Sequence, residues 1–190
     1  MKLLSSTRIL VAAALLSALV FISTTVIKIP TPTFGYIHIG DGFVLLSGLL
    51  LGPVAGGLAA GFGSALSDII GGYASWAPAT FMIKFLTAAT ASLLFSLLTK
   101  NRETKTKRLY LLLPSVAAEL VMTLGYFLYN IIFLSFINTG SERTALASAV
   151  TLSAAEIPFN LMQALFGMII LLLCYPILSR VSERYMISRH

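Results

Sequence analysis

The sequence has 190 residues, of which 57% are hydrophobic and only 11% are charged, whereas soluble domains carry about 25% charged residues. This composition excludes an ordinary soluble domain, and several apolar runs reach the roughly 20 residues that a helix needs to cross a bilayer. The net charge of +6 does not indicate nucleic-acid binding, because the basic residues collect in short segments beside the apolar runs. We therefore expect one membrane domain over residues 1–190.

Three segments hold ten of the thirteen lysine and arginine residues: the N-terminus up to Arg8, the loop 100–108 and the tail from Arg180. Basic residues concentrate on the cytoplasmic side of membrane proteins. The pattern therefore predicts that both termini are cytoplasmic and that the number of spans is even. The first apolar run, from Ile9 to about Ile27, exceeds the roughly 7–15-residue core of a signal peptide, so we interpret it as a retained helix.

The apolar runs predict an all-α protein with six transmembrane helices, at about residues 8–28, 39–53, 54–71, 77–98, 109–137 and 148–178. After the first span, the prolines of KIPTPTFGYIH favour an extended external loop. The second span is short because it stops at Gly52-Pro53. The third is rich in glycine and alanine, and small residues one turn apart, such as Gly57 and Gly61, allow helices to approach closely.

Five charged residues fall within the predicted apolar spans. A charge at this depth is costly unless it faces protein or water, so each is a candidate site residue. Two structural roles are the alternatives to ligand binding. Lys84 could pair with Asp68 or Glu156, and Asp41 could cap the second helix together with His38. The sequence leaves the roles of Asp41, Asp68 and Glu119 undecided. The five residues are Asp41, Asp68, Lys84, Glu119 and Glu156.

Two polar stripes indicate a cavity that opens to the outside. Glu156, Asn160 and Gln163 share one face of the sixth helix, because they are four and three residues apart. Glu119, Thr123, Tyr126 and Asn130 form a stripe on the fifth helix, and Phe34, Tyr36, Tyr73 and Trp76 provide an aromatic wall or lid. The predicted substrate-binding residues are Tyr36, His38, Trp76, Lys84, Tyr126, Asn130, Glu156, Asn160 and Gln163.

Catalytic motifs are missing from the sequence. It contains no HExxH metal motif, no P-loop and no serine–histidine arrangement, and its single Cys174 cannot form an intrachain disulfide or a cysteine metal site. We therefore predict no enzyme activity, no metal and no cofactor. Active transport by this chain would need an external source of energy.

One long segment resembles a known family. The run GYIHIGDGFVLLSGLLLGPVAGGLAAGFGSALSDIIGGYASWAPATFMIKFL, Gly35 to Leu86, is similar to the substrate-binding S components of energy-coupling factor (ECF) vitamin transporters. It is most similar to the group around riboflavin, hydroxymethylpyrimidine and pyridoxine uptake. The resemblance implies a vitamin site near the external face, covered by the loop between the first two helices.

The resemblance also implies partners and a location. It places the chain in the bacterial cytoplasmic membrane, with a membrane coupling protein (the T component) and two cytosolic ABC ATPases that drive release of the vitamin. In the family an Ala-xxx-Ala pattern on the first helix meets the coupling protein, and Ala14 and Ala18 match it. Small residues of this kind form a smooth face that a partner helix can approach.

The segment YIHIGDG is interpreted as a hinge between the lid and the second helix, in which Gly35, Gly40 and Gly42 permit unusual backbone angles. Acids, amides and one lysine favour pyridoxine or hydroxymethylpyrimidine as the substrate, since riboflavin needs a larger cavity. Anionic vitamins fit less well. Riboflavin or another vitamin, a scaffold subunit without a ligand, and a membrane enzyme are the alternatives.

Overall fold

Six helices make up the fold, as the sequence predicts. The computed structural model describes residues 7–31, 35–99, 108–137 and 142–186. Five of the six helices are long and apolar enough to cross a membrane, and α2 is the short one. The helices are α1 (Thr7–Val26), α2 (Asp41–Leu51), α3 (Pro53–Ile70), α4 (Ala77–Thr99), α5 (Arg108–Ile137) and α6 (Glu142–Met186).

Two helices differ most from the predicted bounds. The helix α2 has 11 residues, because Gly52 adopts a left-handed φ of 86° and Pro53 then opens α3 at its first turn. The helix α6 has 45 residues, many more than the predicted span 148–178, because Pro158 and Pro176 lie inside it without ending it. Within a membrane bundle, neighbouring helices can satisfy the carbonyl groups that a proline leaves free.

A small β-ribbon covers one end of the bundle. Strands β1 (Ile29–Pro30) and β2 (Tyr36–Ile37) pair antiparallel, with Ile29 opposite Ile37. The sequence predicts an extended loop here but not the pairing, which proline tolerates because a two-stranded ribbon consists of edge strands. We call the described residues 27–31 and 35–40 the lid segment. Phe34, the predicted aromatic lid residue, lies outside the described residues.

The short helix α2 occupies the centre of the bundle and packs against α1, α3, α4 and α6. Glycine makes this possible. A Cβ added to Gly48 would lie 2.1 Å from the carbonyl oxygen of Ala88 on α4, and one added to Gly56 on α3 would lie 2.2 Å from that of Ser47 on α2. The backbones therefore touch, as the small-residue pattern indicates.

The glycines of α3 allow close packing against two neighbouring helices, α4 and α1. Gly57 and Gly61 receive the rings of Phe85 and Phe81 on α4, whereas a Cβ on Gly63 would lie 2.4 Å from the Ser17 carbonyl oxygen on α1. The helix α1 itself presents much of its surface outward, including Ala14 and Ala18. This exposed apolar face suits a lipid environment or a partner helix.

Gly48→Ala is expected to lower the free energy of unfolding by about 1–3 kcal/mol or more, because the new Cβ would press against backbone atoms that cannot rotate away. Thermal unfolding of the purified protein in detergent measures the change. Gly125→Ala is the matched comparison and should lose less stability, since its Cβ would meet only side-chain atoms, those of Ile83 at 2.9 Å, and no backbone atom. Equal melting temperatures for the two variants would contradict the close contact between α2 and α4.

Candidate ligand-binding site

A cavity opens beneath the lid segment, at the end of the bundle where α2 begins. Its empty space, counted out to its open mouth, is about 590 Å³. The cavity wall is formed by residues of the lid segment, of the α3–α4 connection and of every helix except α2. The lining residues are Thr24, Gly35, Tyr36, His38, Ser64, Asp68, Tyr73, Trp76, Thr80, Tyr126, Asn130, Glu156, Asn160 and Gln163.

Eight of the nine predicted substrate-binding residues line this cavity. The α6 stripe is complete, since Glu156, Asn160 and Gln163 all face it. Only part of the predicted polar stripe on α5 faces the cavity: Tyr126 and Asn130 line it, whereas Glu119 does not. The others that line it are Tyr36, His38 and Trp76.

Lys84, the ninth predicted residue, does not line the cavity. Its side chain is 0% exposed, and its ammonium group donates a hydrogen bond to the equally buried carboxylate of Asp41 in an ion pair. The sequence offered Asp68 or Glu156 as partners. Asp41 takes this role because it begins the central helix α2 and thus faces α4 inside the bundle. A buried ammonium needs such a neighbouring carboxylate to offset its desolvation.

The same pairing corrects the capping role expected for Asp41. Asp41 is the first helical residue of α2, and the preceding Gly40 makes no side-chain cap hydrogen bond. The second carboxylate oxygen of Asp41 accepts a hydrogen bond from Gln163 Nε2 at 2.7 Å. His38 does act locally at this helix start, because its Nδ1 accepts the backbone N–H of Gly40 at 3.0 Å.

The glycines of YIHIGDG also act differently from the expected hinge. Among the described residues only Gly52 and Gly72 have positive φ, so the lid glycines do not need unusual backbone angles. They provide space instead. A Cβ on Gly40 would lie 2.1 Å from Thr24 Oγ1, and one on Gly42 would lie 2.5 Å from the Ile170 side chain.

Three hydrogen bonds hold the lid segment to the cavity wall. Thr31 donates from its hydroxyl to Glu156 Oε1 at 2.6 Å, and Tyr36 donates from its hydroxyl to Asp68 Oδ1 at 2.5 Å. The backbone N–H of His38 donates to Gln163 Oε1 at 3.2 Å. The polar groups of α3 and α6 that face the cavity therefore also bind the lid.

Ionisable groups of the lid keep fixed protonation states. Burial, reinforced by the nearby Asp68 carboxylate, raises the pKa of Tyr36 well above its ordinary value, so its hydroxyl remains a donor. Burial lowers the pKa of His38 to about 3, which keeps the imidazole neutral and its Nδ1 an acceptor. Burial also lowers the pKa of Lys28, whereas the charge of Asp68 opposes that change.

Aromatic rings form one side of the cavity mouth. Tyr36 and Tyr73 have ring centroids 4.9 Å apart, and Lys28 Nζ lies 4.3 Å from the centroid of Tyr36. Trp76 donates its indole N–H to Asn130 at 3.1 Å, which fixes its ring at the mouth. The described wall thus carries flat rings and the carboxyl groups of Asp68 and Glu156, but no lysine or arginine.

Sequence reasoning missed three hydroxyl residues of the wall and left two acids undecided. Thr24, Ser64 and Thr80 line the cavity, but no pattern separates them from the other hydroxyl residues of apolar helices. Asp68 lines the cavity and binds Tyr36. Glu119 is 3% exposed, and neither carboxyl oxygen has a hydrogen-bond partner within the described chain.

One family model matches nearly the whole chain, and a relative and a solved structure are similar to it. Residues 4–180 match the family model of the ECF-type riboflavin transporter, S component. A Pyrococcus woesei protein with the name "Uncharacterized protein in gap 3'region" is 38% identical over 108 residues, which are 56% of this chain and 68% of that relative. The solved structure of the S component of a bacterial ECF transporter has a TM-score of 0.61 at 24% identity, over 96% of this chain and 98% of that chain. At this identity the solved structure shows a common fold.

Lys84→Met is expected to destabilise the protein by about 3–5 kcal/mol, because it leaves the buried Asp41 carboxylate without its cation. The double variant Lys84→Met/Asp41→Asn should recover part of this loss, since no charge then remains at the site. Thermal unfolding in detergent compares the three proteins. A single variant as stable as the wild type would exclude a stabilising ion pair.

The pKa of His38 predicts a pH dependence of stability. Its folded value, about 3, lies below the unfolded value of 6.5, so the unfolded chain binds the extra proton and stability falls as the pH drops below 6.5. At pH 5 the loss is about 2 kcal/mol, at 1.36 kcal/mol per pKa unit. The difference in melting temperature between the wild type and His38→Asn at pH 7.5 and pH 5 isolates this contribution. Parallel pH profiles for the two proteins would contradict a neutral, buried His38.

Proposed function

The chain belongs to the family of ECF-type riboflavin transporter S components, and from this premise we propose that its cavity binds a neutral, planar heteroaromatic vitamin with hydroxyl groups. Family membership makes the chain a multi-pass membrane protein and the substrate-binding subunit of an ECF transporter. The resemblance drawn from Gly35 to Leu86 is thereby confirmed. What remains to be proposed is the vitamin, the capture step and the partners of this particular chain.

The observation that carries the proposal is the charge balance of the wall. Asp68 and Glu156 bring carboxyl groups to the cavity, whereas Lys84 is paired with Asp41 outside the wall and Lys28 lies against tyrosine rings at the rim. An anionic vitamin would meet acids without a free cation. A neutral ligand with N–H or O–H donors finds acceptors, and its ring finds aromatic surfaces.

Riboflavin is the first candidate because the matched family model is that of a riboflavin S component. This reverses the order expected from the sequence, which favoured pyridoxine or hydroxymethylpyrimidine. Those two remain the second candidate, since the Glu156 and Asp68 carboxyl groups suit hydroxymethyl donors and a basic ring nitrogen.

Capture uses the lid segment. The hydrogen bonds from Thr31 to Glu156 and from Tyr36 to Asp68 close the lid over the cavity, and their opening admits the vitamin from outside the cell. From family membership we infer that release inward depends on a T component and two cytosolic ATPases, which act on the chain in the bacterial cytoplasmic membrane. Ala14 and Ala18 are exposed on α1, which supports their role in contact with the T component.

Native mass spectrometry of the detergent-purified protein, followed by titration with riboflavin, pyridoxine and hydroxymethylpyrimidine, tests the proposal. Recovery of bound riboflavin, or saturable binding with a stoichiometry of one, supports a vitamin-binding subunit. Preference for pyridoxine or hydroxymethylpyrimidine would select the second candidate. A protein that binds none of the three, and carries no other vitamin from the cell, would instead indicate a subunit without this ligand class.

Asn160→Ala is expected to weaken vitamin binding by about fivefold, because the amide lines the cavity and one hydrogen bond contributes roughly 1 kcal/mol. Leu161→Ala is the matched control: the adjacent side chain is exposed on the outer face of α6, so affinity should stay within about twofold. Titration of both variants in detergent measures the difference. Equal affinity of Asn160→Ala and the wild type would remove Asn160 from the site.

A further inference from the structure

Two hydroxyl groups in the cavity wall have no hydrogen-bond partner in the described part of the chain. They belong to Thr24 on α1 and Ser64 on α3, each 1% exposed. Both residues line the cavity. Buried polar groups in native proteins are nearly always hydrogen-bonded, so an exception at a binding cavity points to a partner that the chain itself does not supply.

Among the described residues Thr123, Ser135 and Ser153 also have an unbonded buried hydroxyl, so what distinguishes Thr24 and Ser64 is that they line the cavity. Serine and threonine in helices commonly donate to the carbonyl group three or four residues earlier. Thr25 donates to Phe21 at 2.7 Å, Thr87 to Ile83 at 2.8 Å and Ser115 to Leu111 at 2.7 Å. Thr24 and Ser64 make no such bond. Their hydroxyl groups are thus free to act as donors and acceptors toward the cavity.

The two helices are held in register at this level by neighbouring residues. Thr25 Oγ1 and Ser67 Oγ form a hydrogen bond of 2.9 Å between α1 and α3, one residue beyond Thr24 and one turn beyond Ser64. The backbone of Gly40 in the lid segment passes close to the Thr24 hydroxyl. Rigid positions of this kind are what a specific binding site requires.

We propose that Thr24 and Ser64 donate hydrogen bonds to acceptor atoms of the bound vitamin and thereby determine its specificity. This inference rests on the proposed function. The acceptors are a ring carbonyl, a ring nitrogen or a hydroxyl oxygen, since a hydroxyl donor pairs with each of these. The donors of the same ligand face the Glu156 carboxyl group on α6. The cavity therefore recognises opposite edges of a heteroaromatic ring by opposite hydrogen-bonding character.

Paired substitutions test this role. Thr24→Val keeps the shape of the side chain and removes its hydroxyl, and Ser64→Ala removes the hydroxyl of Ser64. The test ligand is whichever of riboflavin, pyridoxine and hydroxymethylpyrimidine binds the wild type. Each substitution should raise the Kd for that ligand by about 5–10-fold. Thr24→Ser should stay within about twofold of the wild type. Thr87→Val is the matched control: its hydroxyl already donates to the Ile83 carbonyl group and lies outside the cavity wall, so the variant should lower the melting temperature and leave affinity unchanged.

The outcomes separate this inference from the proposed function. Unchanged affinity in both Thr24→Val and Ser64→Ala would overturn the inference while leaving a vitamin-binding subunit intact. A wild type that binds none of the three vitamins would overturn both. Because the Thr24 hydroxyl has no hydrogen-bond partner among the described residues, Thr24→Val should melt no lower than the wild type without vitamin. A lower melting temperature together with weaker binding would assign a structural role instead and also overturn the inference.

Discussion

The buried ion pair between Lys84 and Asp41 fixes the centre of this protein. It joins α4 to α2, and Gln163 extends it to α6 by donating to the free oxygen of Asp41. Neither charge could remain alone inside a membrane bundle without a large desolvation cost. The start of α2 is therefore held where α4 and α6 meet it, and the cavity lies directly above that point.

Gln163 connects this core to the lid. Its amide nitrogen donates to Asp41, and its amide oxygen accepts the backbone N–H of His38. A single side chain thus joins a buried charge to a segment that must move for a ligand to enter. Glu156 and Asp68 bind the lid in the same way, through Thr31 and Tyr36. Because the atoms that close the lid also face the cavity, ligand binding and lid closure act on a common set of hydrogen bonds.

The sequence predicted the features that depend on hydrophobic length and helical spacing. Six helices and the α6 face of Glu156, Asn160 and Gln163 follow from periodicity alone, because residues three and four apart must share a side of a helix. The partner of Lys84 was predicted wrongly: the sequence offered Asp68 or Glu156 and gave Asp41 a capping role, because the position of the short helix α2 inside the bundle was not known. The free hydroxyls of Thr24 and Ser64 depend on rotamers and neighbours that no sequence pattern encodes.

The difference in length between α2 and α3 explains why there is a cavity at all. The two helices are joined at Gly52 and run back along each other, but α2 has 11 residues and α3 has 18. At about 1.5 Å per residue, α3 extends roughly 10 Å beyond the start of α2. That gap is about two helical turns deep, and the lid segment roofs it. The size of the accepted molecule is thus tied to where a central helix begins.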